Sequence, residues 1–442
     1  MMRSRVRENL AAALLTLCAL WPRPAGAVDL PQVLRDVLRR NPDLGTQRWE
    51  AAASHERAVR AGSWSSPMLE FGVVNVPTTG RFDMDPMTMK MVGITQRVPV
   101  FGANRLARRA QDEAANADTA MLAAMRWERC GEAWEMYAEA YFAGERTRAA
   151  LRHRGVMQRM VEAARARYAA GRGRLDDMLR AEAEAANVAA DAAGFAAEGA
   201  EAHARLAALA GAPASVPLGA LDPPPVLEVG ADPRVWLDAA LGNPRLAARD
   251  ASVRRYELGA RAARRMAWSD VELKASYGFR ADLAPAHPHE GPDQQDNMFS
   301  ASAGFMLPLF ARSREYAEAR EMSAMANAAM SERAATTLEL ERTVTAAHAR
   351  AVAAAHTVQL LADTVLVVQH RALDAAWSSY AAGTRDLLSV FDSAHALYTG
   401  ELREIDERAA LARAHATLVA VTGRFDLIGV TVGATSRERD AR

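Results

Sequence analysis

The sequence repeats itself. Asn41-Pro42 returns as Asn243-Pro244, Val98-Pro99-Val100-Phe101 as Leu307-Pro308-Leu309-Phe310, and Tyr168-Ala169-Ala170-Gly171 as Tyr380-Ala381-Ala382-Gly383. Leu206 with Leu209-Ala210-Gly211 returns as Leu418 with Val421-Thr422-Gly423. The pairs keep their order while their offset widens only from about 200 to about 210 residues, as expected of one duplicated unit with small insertions in its connections. A length of 442 residues would by itself suggest several domains. The duplication replaces that with two copies of one build, at 28–211 and 232–423, joined by a proline-rich link at 212–231 and followed by a tail at 424–442.

Each copy reads in the same order. A helix is expected from about Pro31 to Gly62 and again from Asp232 to Trp268, each containing the Asn-Pro break, because proline disfavours helix in the residue before it. Two strand-like runs follow. Val271, Leu273, Ala275, Tyr277 and Phe279 alternate with Glu272, Lys274, Ser276, Gly278 and Arg280, and Phe299 to Leu307 answers with the same period. In the first copy Leu69, Phe71 and Val73 alternate in the same way, and Lys90–Val98 returns. After Phe101 and Phe310 the chain lacks a strong breaker for about 65 residues, on the order of 100 Å of helix. Apolar stripes run through Met157, Val161, Ala164 and Tyr168, and through Leu366, Leu373 and Tyr380, at coiled-coil spacing. Gly171 and Gly383 then turn the chain into a shorter returning helix, since glycine accepts positive φ at a helix end.

One apolar face over about ten residues suits a transmembrane barrel strand and equally a half-buried strand of a soluble protein. The flanks bear on the choice. Trp64 and Trp268 precede the first strand of each copy, and Phe101 and Phe310 follow the second, so all four would lie at one end and match an interfacial aromatic girdle. Pro77–Pro86 and Ala281–Asp296 would form loops at the opposite, external end. Residues 1–27 read as a secretory leader, with Arg3, Arg5 and Arg7, an apolar stretch Leu10–Leu20 and Ala25-Gly26-Ala27 before the cut. With Cys18 in that leader, Cys130 stands alone and no intramolecular disulfide is possible. Beyond residue 27 no run of about 18 apolar residues is expected, so any crossing would be by strands. Four strands cannot close in lipid, because open edges are forbidden there; three chains would pool twelve.

Net charge is zero with both signs interspersed, which does not point to nucleic acid. Hydrophobic residues reach 50% with only 6% aromatics. The excess is alanine, which suits closely packed helices.

Taken together, the duplicated Asn-Pro pairs, the strand-ending Pro-x-Phe segments and the Tyr-x-x-Gly tips resemble the TolC family of outer-membrane efflux channels over nearly the whole mature chain. The resemblance implies a mixed, mainly α fold. Four strands per chain would build a trimeric twelve-stranded barrel, continued by a long periplasmic α-helical barrel in a Gram-negative outer membrane. It implies a homotrimer contacting outer-membrane lipid, a periplasmic adaptor (membrane fusion protein), an RND-type inner-membrane pump, and no cofactor. Gly171, Arg172, Gly383 and Thr384 match adaptor-docking tips. Asp177, Tyr380 and Arg385 match a latch holding the aperture shut. Asp392 matches one acidic constriction position, whereas Ser389 stands where a second aspartate is common, which weakens the case for a strongly cation-selective aperture. The run Met84-Asp85-Pro86-Met87-Thr88-Met89-Lys90-Met91 is similar to heavy-metal efflux channels, with drugs the other class of cargo. Thioethers at Met87, Met89 and Met91 suit Cu(I), and His287 and His289 in the external loop are further metal candidates, though methionine is also an ordinary apolar filler.

Two other readings carry tests. A soluble periplasmic coiled-coil or adaptor protein would be released from envelope membranes by carbonate. An envelope enzyme would need a catalytic motif, and Gly-x-Ser-x-Gly, His-Glu-x-x-His, a phosphate loop and Cys-x-x-Cys do not occur.

Overall fold

The computed structural model describes residues 28–78, 80, 85–171, 173–215, 219–268, 270–283, 294–305, 307 and 309–432. The leader with Cys18, and Met84, Arg172, His287, His289, Pro308 and the end of the tail, lie outside them. Along the chain run α1 (Leu30–Arg40), α2 (Pro42–Gly62), β1 (Met68–Val74), β2 (Met89–Val98), α3 (Ala103–Ala169) and α4 (Leu175–Leu209). The second copy continues with α5 (Arg234–Ala240), α6 (Pro244–Met266), β3 (Val271–Arg280), β4 (Met298–Phe305) and α7 (Glu315–Leu360). A π-helical stretch, Leu361–Val365, leads into α8 (Leu366–Ala381), and α9 (Leu387–Thr422) follows. The fold is mainly helical with one antiparallel sheet, as expected.

Two compact units cut across the two copies, each drawing on both. Gln47–Leu122 with Pro244–Thr336 forms the sheet unit. Its strands are ordered β1-β2-β3-β4, every neighbour antiparallel. The hairpin of one copy is thus joined to the hairpin of the other by the β2–β3 ladder, with Met89 opposite Arg280 and Val98 opposite Val271. β4 stops at Phe305, two residues short of the expected end. The Leu307 carbonyl accepts from the Leu309 N–H at 2.8 Å.

Met1–Thr46, Ala123–Asn243 and Thr337–Arg442 form the helical unit. Its main core packs Leu30, Val33, Leu34 and Val37 of α1 against Trp134 and Tyr137 of α3 and Leu418, Val419 and Phe425 at the end of the chain. The interval between copies is tied into it: Val28 bridges Leu221, and the Tyr137 hydroxyl lies 2.7 and 2.8 Å from the Val28 and Asp222 carbonyls. A second core runs toward the glycine turns through Met157, Met160 and Ala164 of α3, Ala181 and Val188 of α4, and Tyr380, Leu387, Val390 and Tyr398. The predicted stripe enters this core as far as Ala164; Tyr168, in the last turn of α3, is 46% exposed.

The ascending helical stretches match in length, 67 residues for Ala103–Ala169 and 67 for Glu315–Ala381. The second has no unbroken run of about 18 apolar residues, as expected, but by length and composition it contains a window apolar enough to cross a membrane, of which only 17% is buried within the chain. Its apolarity comes from alanine, valine and leucine on an unpartnered helix face rather than from an unbroken greasy run.

The duplicated Asn-Pro pairs have a structural cause. Both asparagines are buried, and Asn41 Nδ2 donates to the Leu209 carbonyl at 2.9 Å while Asn243 Nδ2 donates to the Val421 carbonyl at 2.8 Å. Each thereby satisfies an orphan carbonyl at the end of its copy's returning helix. Asn41 Oδ1 also accepts from the Leu44 N–H at 3.1 Å, capping α2. Gly211, at φ +69, lies so close to the Arg40 carbonyl that no side chain fits there. Asn41→Ala or Asn243→Ala should each destabilise the folded chain by about 1–3 kcal/mol, because each strands a buried carbonyl. Urea unfolding of the detergent-solubilised protein checks this; a loss from one site only would contradict a shared anchoring role.

Candidate functional site

In the sheet unit the register separates two faces. Leu69, Ile94, Ala275 and Ala301 stand side by side across the four strands, as do Phe71, Val92, Tyr277 and Phe299. The large side chains of these two rows are between 36% and 72% exposed. Gln96 and Lys90 share it only near its two ends. The opposite face carries Glu70, Thr95, Arg97, Glu272, Lys274, Ser276, Ser300 and Ser302, with glycines at 72, 93, 278 and 304. Four of its charges are paired across strands, Lys274 Nζ to Glu70 Oε2 at 2.5 Å, with Thr95 Oγ1 donating to Glu70 at 3.2 Å, and Arg97 to Glu272 at 3.6 Å, while Arg280 stands at its far end opposite Met89. A sheet with a bare apolar face and a neutralised polar face suits hydrocarbon on one side and water on the other. β2 and β3, at ten residues each, match the roughly 9–11 that a tilted spanning strand needs.

The predicted girdle residues Trp64, Phe101, Trp268 and Phe310 are all exposed, at 44% to 76%. The fold brings Phe101 and Trp268 together with ring centroids 6.2 Å apart. At the far end of the sheet, Met89 and Met91 stand on the polar face in β2, and Met87 Sδ lies 3.6 Å from Arg280 Nη2. No group of three His, Cys, Asp or Glu side chains placed to hold a metal occurs among the described residues.

The helical turns form as the glycines require. Gly171 and Gly383 take φ of +68 and +71 and are exposed. The Gly383 and Thr384 N–H groups donate back to the Tyr380 and Ser379 carbonyls at 3.0 Å each, and Thr384 Oγ1 bonds Ser379 as well. Asp386 caps α9 by accepting from the Ser389 N–H at 3.3 Å, and Ser389 Oγ donates to the Asp386 carbonyl, so Ser389 belongs to the cap. Asp392 is exposed.

Asp177, Tyr380 and Arg385 line one pocket of about 180 Å³ together with Arg167 and Arg174. Among the described residues no hydrogen bond or ion pair joins Asp177 to Tyr380 or Arg385. Tyr380, largely buried, is covered by the Arg167 guanidinium at 4.6 Å from the ring centroid. Arg174 grips Asp176 with two hydrogen bonds, at 2.8 and 3.0 Å, which holds the Asp176 carboxyl below its ordinary value.

A buried polar cluster farther along these hairpins left no signal in the sequence. The His153 ring stacks on Tyr398 at 4.3 Å, nearly coplanar, and its buried Nε2 has no partner among the described residues. Tyr398 donates to Asp191 at 3.2 Å, and Glu184 and His395, 3.4 Å apart, flank the site. Burial holds His153 down to about 4, with Glu184 and Asp191 opposing and His395 adding to the effect. Only the α3, α4 and α9 packing brings these residues together.

Residues 33–212 and 236–424 match the model of one protein family, described as outer membrane efflux protein. Among curated proteins none matches the sequence. Several solved structures share the fold. The outer-membrane channel OprN is 20% identical, with 89% of each chain covered and a TM-score of 0.74. The outer membrane protein VceC of Vibrio cholerae is 18% identical over 89% of this chain and 96% of its own, also at 0.74. CusC, described in terms of transmembrane channel formation, is 16% identical over 91% and 95%, at 0.66.

His153 makes the helical hairpins acid-sensitive. An unfolded histidine takes up its proton near 6.5. The folded chain resists protonation down to about 4. Between these values the unfolded chain binds more protons than the folded one. Stability is therefore full above pH 6.5 and falls as the pH drops toward 4, by on the order of 3 kcal/mol. His153→Phe keeps a ring against Tyr398 and should lessen the pH dependence of Tm across that window without abolishing it, because burial also holds His415 down to about 4; an unchanged slope would mean that His153 does not contribute.

Proposed function

We propose, from the premise that this chain belongs to the outer membrane efflux protein family, that it is the outer-membrane exit duct of a three-part efflux system. Members of this family reside in the outer membrane and act as transport ducts rather than catalysts. On this reading three copies pool their sheets into one barrel. A periplasmic adaptor meets the turns at Gly171 and Gly383, and an RND-type inner-membrane pump supplies the energy. The single observation that carries it is the sheet, whose apolar face is exposed and whose outer edges, on β1 and β4, meet no further strand among the described residues.

The cargo proposed is heavy-metal cations, supported by the methionines of β2 on the polar face. Asp392 is the acidic group offered at the constriction. Because Ser389 lacks a charge and Asp386 is engaged in a cap, cation selectivity at that point is modest.

Asp177 and Arg385 share a pocket without bonding within one chain, and on this reading they pair when the aperture is shut. Each such pair is worth about 0–1 kcal/mol, and three together yield to the docking energy of an adaptor. In planar bilayers, Asp177→Ala and Arg385→Ala should each raise single-channel conductance several-fold over the resting wild type. Conductance unchanged in both variants removes the latch, and absence of any conductance from the refolded wild type removes the duct.

A further inference from the structure

β3 places a glycine where its neighbours carry thioethers. Gly278 stands directly between Met91 of β2 and Met298 of β4, and Met91 is also opposite Gly72 of β1. All four positions share the polar face with Glu70, Thr95 and Lys274, by register. The Met89 sulfur folds over Gly278 and fills the space that a side chain at 278 would need. Met91 and Met298 are two strand spacings apart, about 10 Å, with only glycine between them. Two flexible unbranched side chains can close that gap from either side.

The same face also carries Met68, Val74 and Arg280, but by register Met89, Met91 and Met298 are the thioethers that gather around Gly278. Met298 is 39% exposed, and Met89 and Met91 are half-buried. Met87 is set apart, because its sulfur is taken by the Arg280 guanidinium. Carboxylate or histidine clusters for a hard, highly charged ion are absent among the described residues.

We propose that Met89, Met91 and Met298 form a thioether site for a soft monovalent metal cation, Cu(I) or Ag(I), at the end of the sheet opposite Phe101 and Trp268. Neutral, polarisable sulfur binds such ions in preference to oxygen-seeking ones. Partial exposure lets the ion leave, which a conducting path requires. The site deepens the duct reading, on which it rests only for placing this face toward water; it draws one sulfur ligand set from strands of both copies of the repeat.

The test uses the mature protein in detergent with Cys130 replaced by serine, so that no thiol competes, and Ag(I) as the probe because it does not change oxidation state. Equilibrium titration followed by metal analysis should give one Ag(I) per chain. The triple variant Met89→Leu, Met91→Leu, Met298→Leu, of similar volume, should bind at least tenfold more weakly, while Met87→Leu binds as before. Equal thermal unfolding of the variants confirms that folding is intact. No Ag(I) on the parent protein, undiminished binding by the triple variant, or loss in Met87→Leu alone would each overturn the site. Conductance of the same samples separates the two claims: a protein that conducts but does not bind Ag(I) refutes only the site, and one that binds but does not conduct refutes only the duct.

Discussion

Unpaired backbone at the edges of the sheet is the constraint from which the remaining features follow. β1 and β4 each present one row of N–H and C=O groups that meets no further strand among the described residues, beside a face of leucine, phenylalanine and valine. In water such edges are a liability, and in hydrocarbon each bare group costs several kcal/mol. The two hairpins cannot relieve one another, because β2 and β3 are already joined. Since β1 and β4 run in opposite directions, the β4 edge of one copy and the β1 edge of the next would meet antiparallel, which makes identical chains the natural completion.

The helical unit shows how duplication is anchored. Asn41 and Asn243 each hold the carbonyl end of a returning helix, Gly211 and Gly423 give the close approach there, and Gly171 and Gly383 make the distant turns. Every one of these is a backbone requirement, met by a residue whose side chain either reaches a carbonyl or is absent. The remainder is permissive: alanine-rich helix faces tolerate change so long as they stay small, as the exposed apolar window of Glu315–Ala381 illustrates.

Backbone-driven features were legible in the sequence. The strands were marked by a period of two, the turns by glycine, and the break between α1 and α2 by Asn-Pro. Features that arise from pairing were not. Which strand neighbours which is invisible in alternation, so Met298 could not be linked to Met91 before the β3 register was known. The π-helical stretch at Leu361–Val365 contains no breaker and leaves the match in length with the first copy intact, so nothing local announces it. His153 reads as one more residue on a charged helix until Tyr398 stacks on it. At the tips, residue types pointed to Asp177, Tyr380 and Arg385, and the fold does gather them at one pocket. The covering of Tyr380 by Arg167 depends on a helix-to-helix register that no single segment encodes.

The number of chains in the membrane-extracted particle bears most directly on the bare edges. Native mass spectrometry of the mature protein, released from outer membranes in mild detergent, should give a particle of three chains that comes apart only on strong denaturation. A folded, stable single chain that needs no detergent would mean that the strand edges are satisfied in water, and completion of the sheet by identical copies would be wrong.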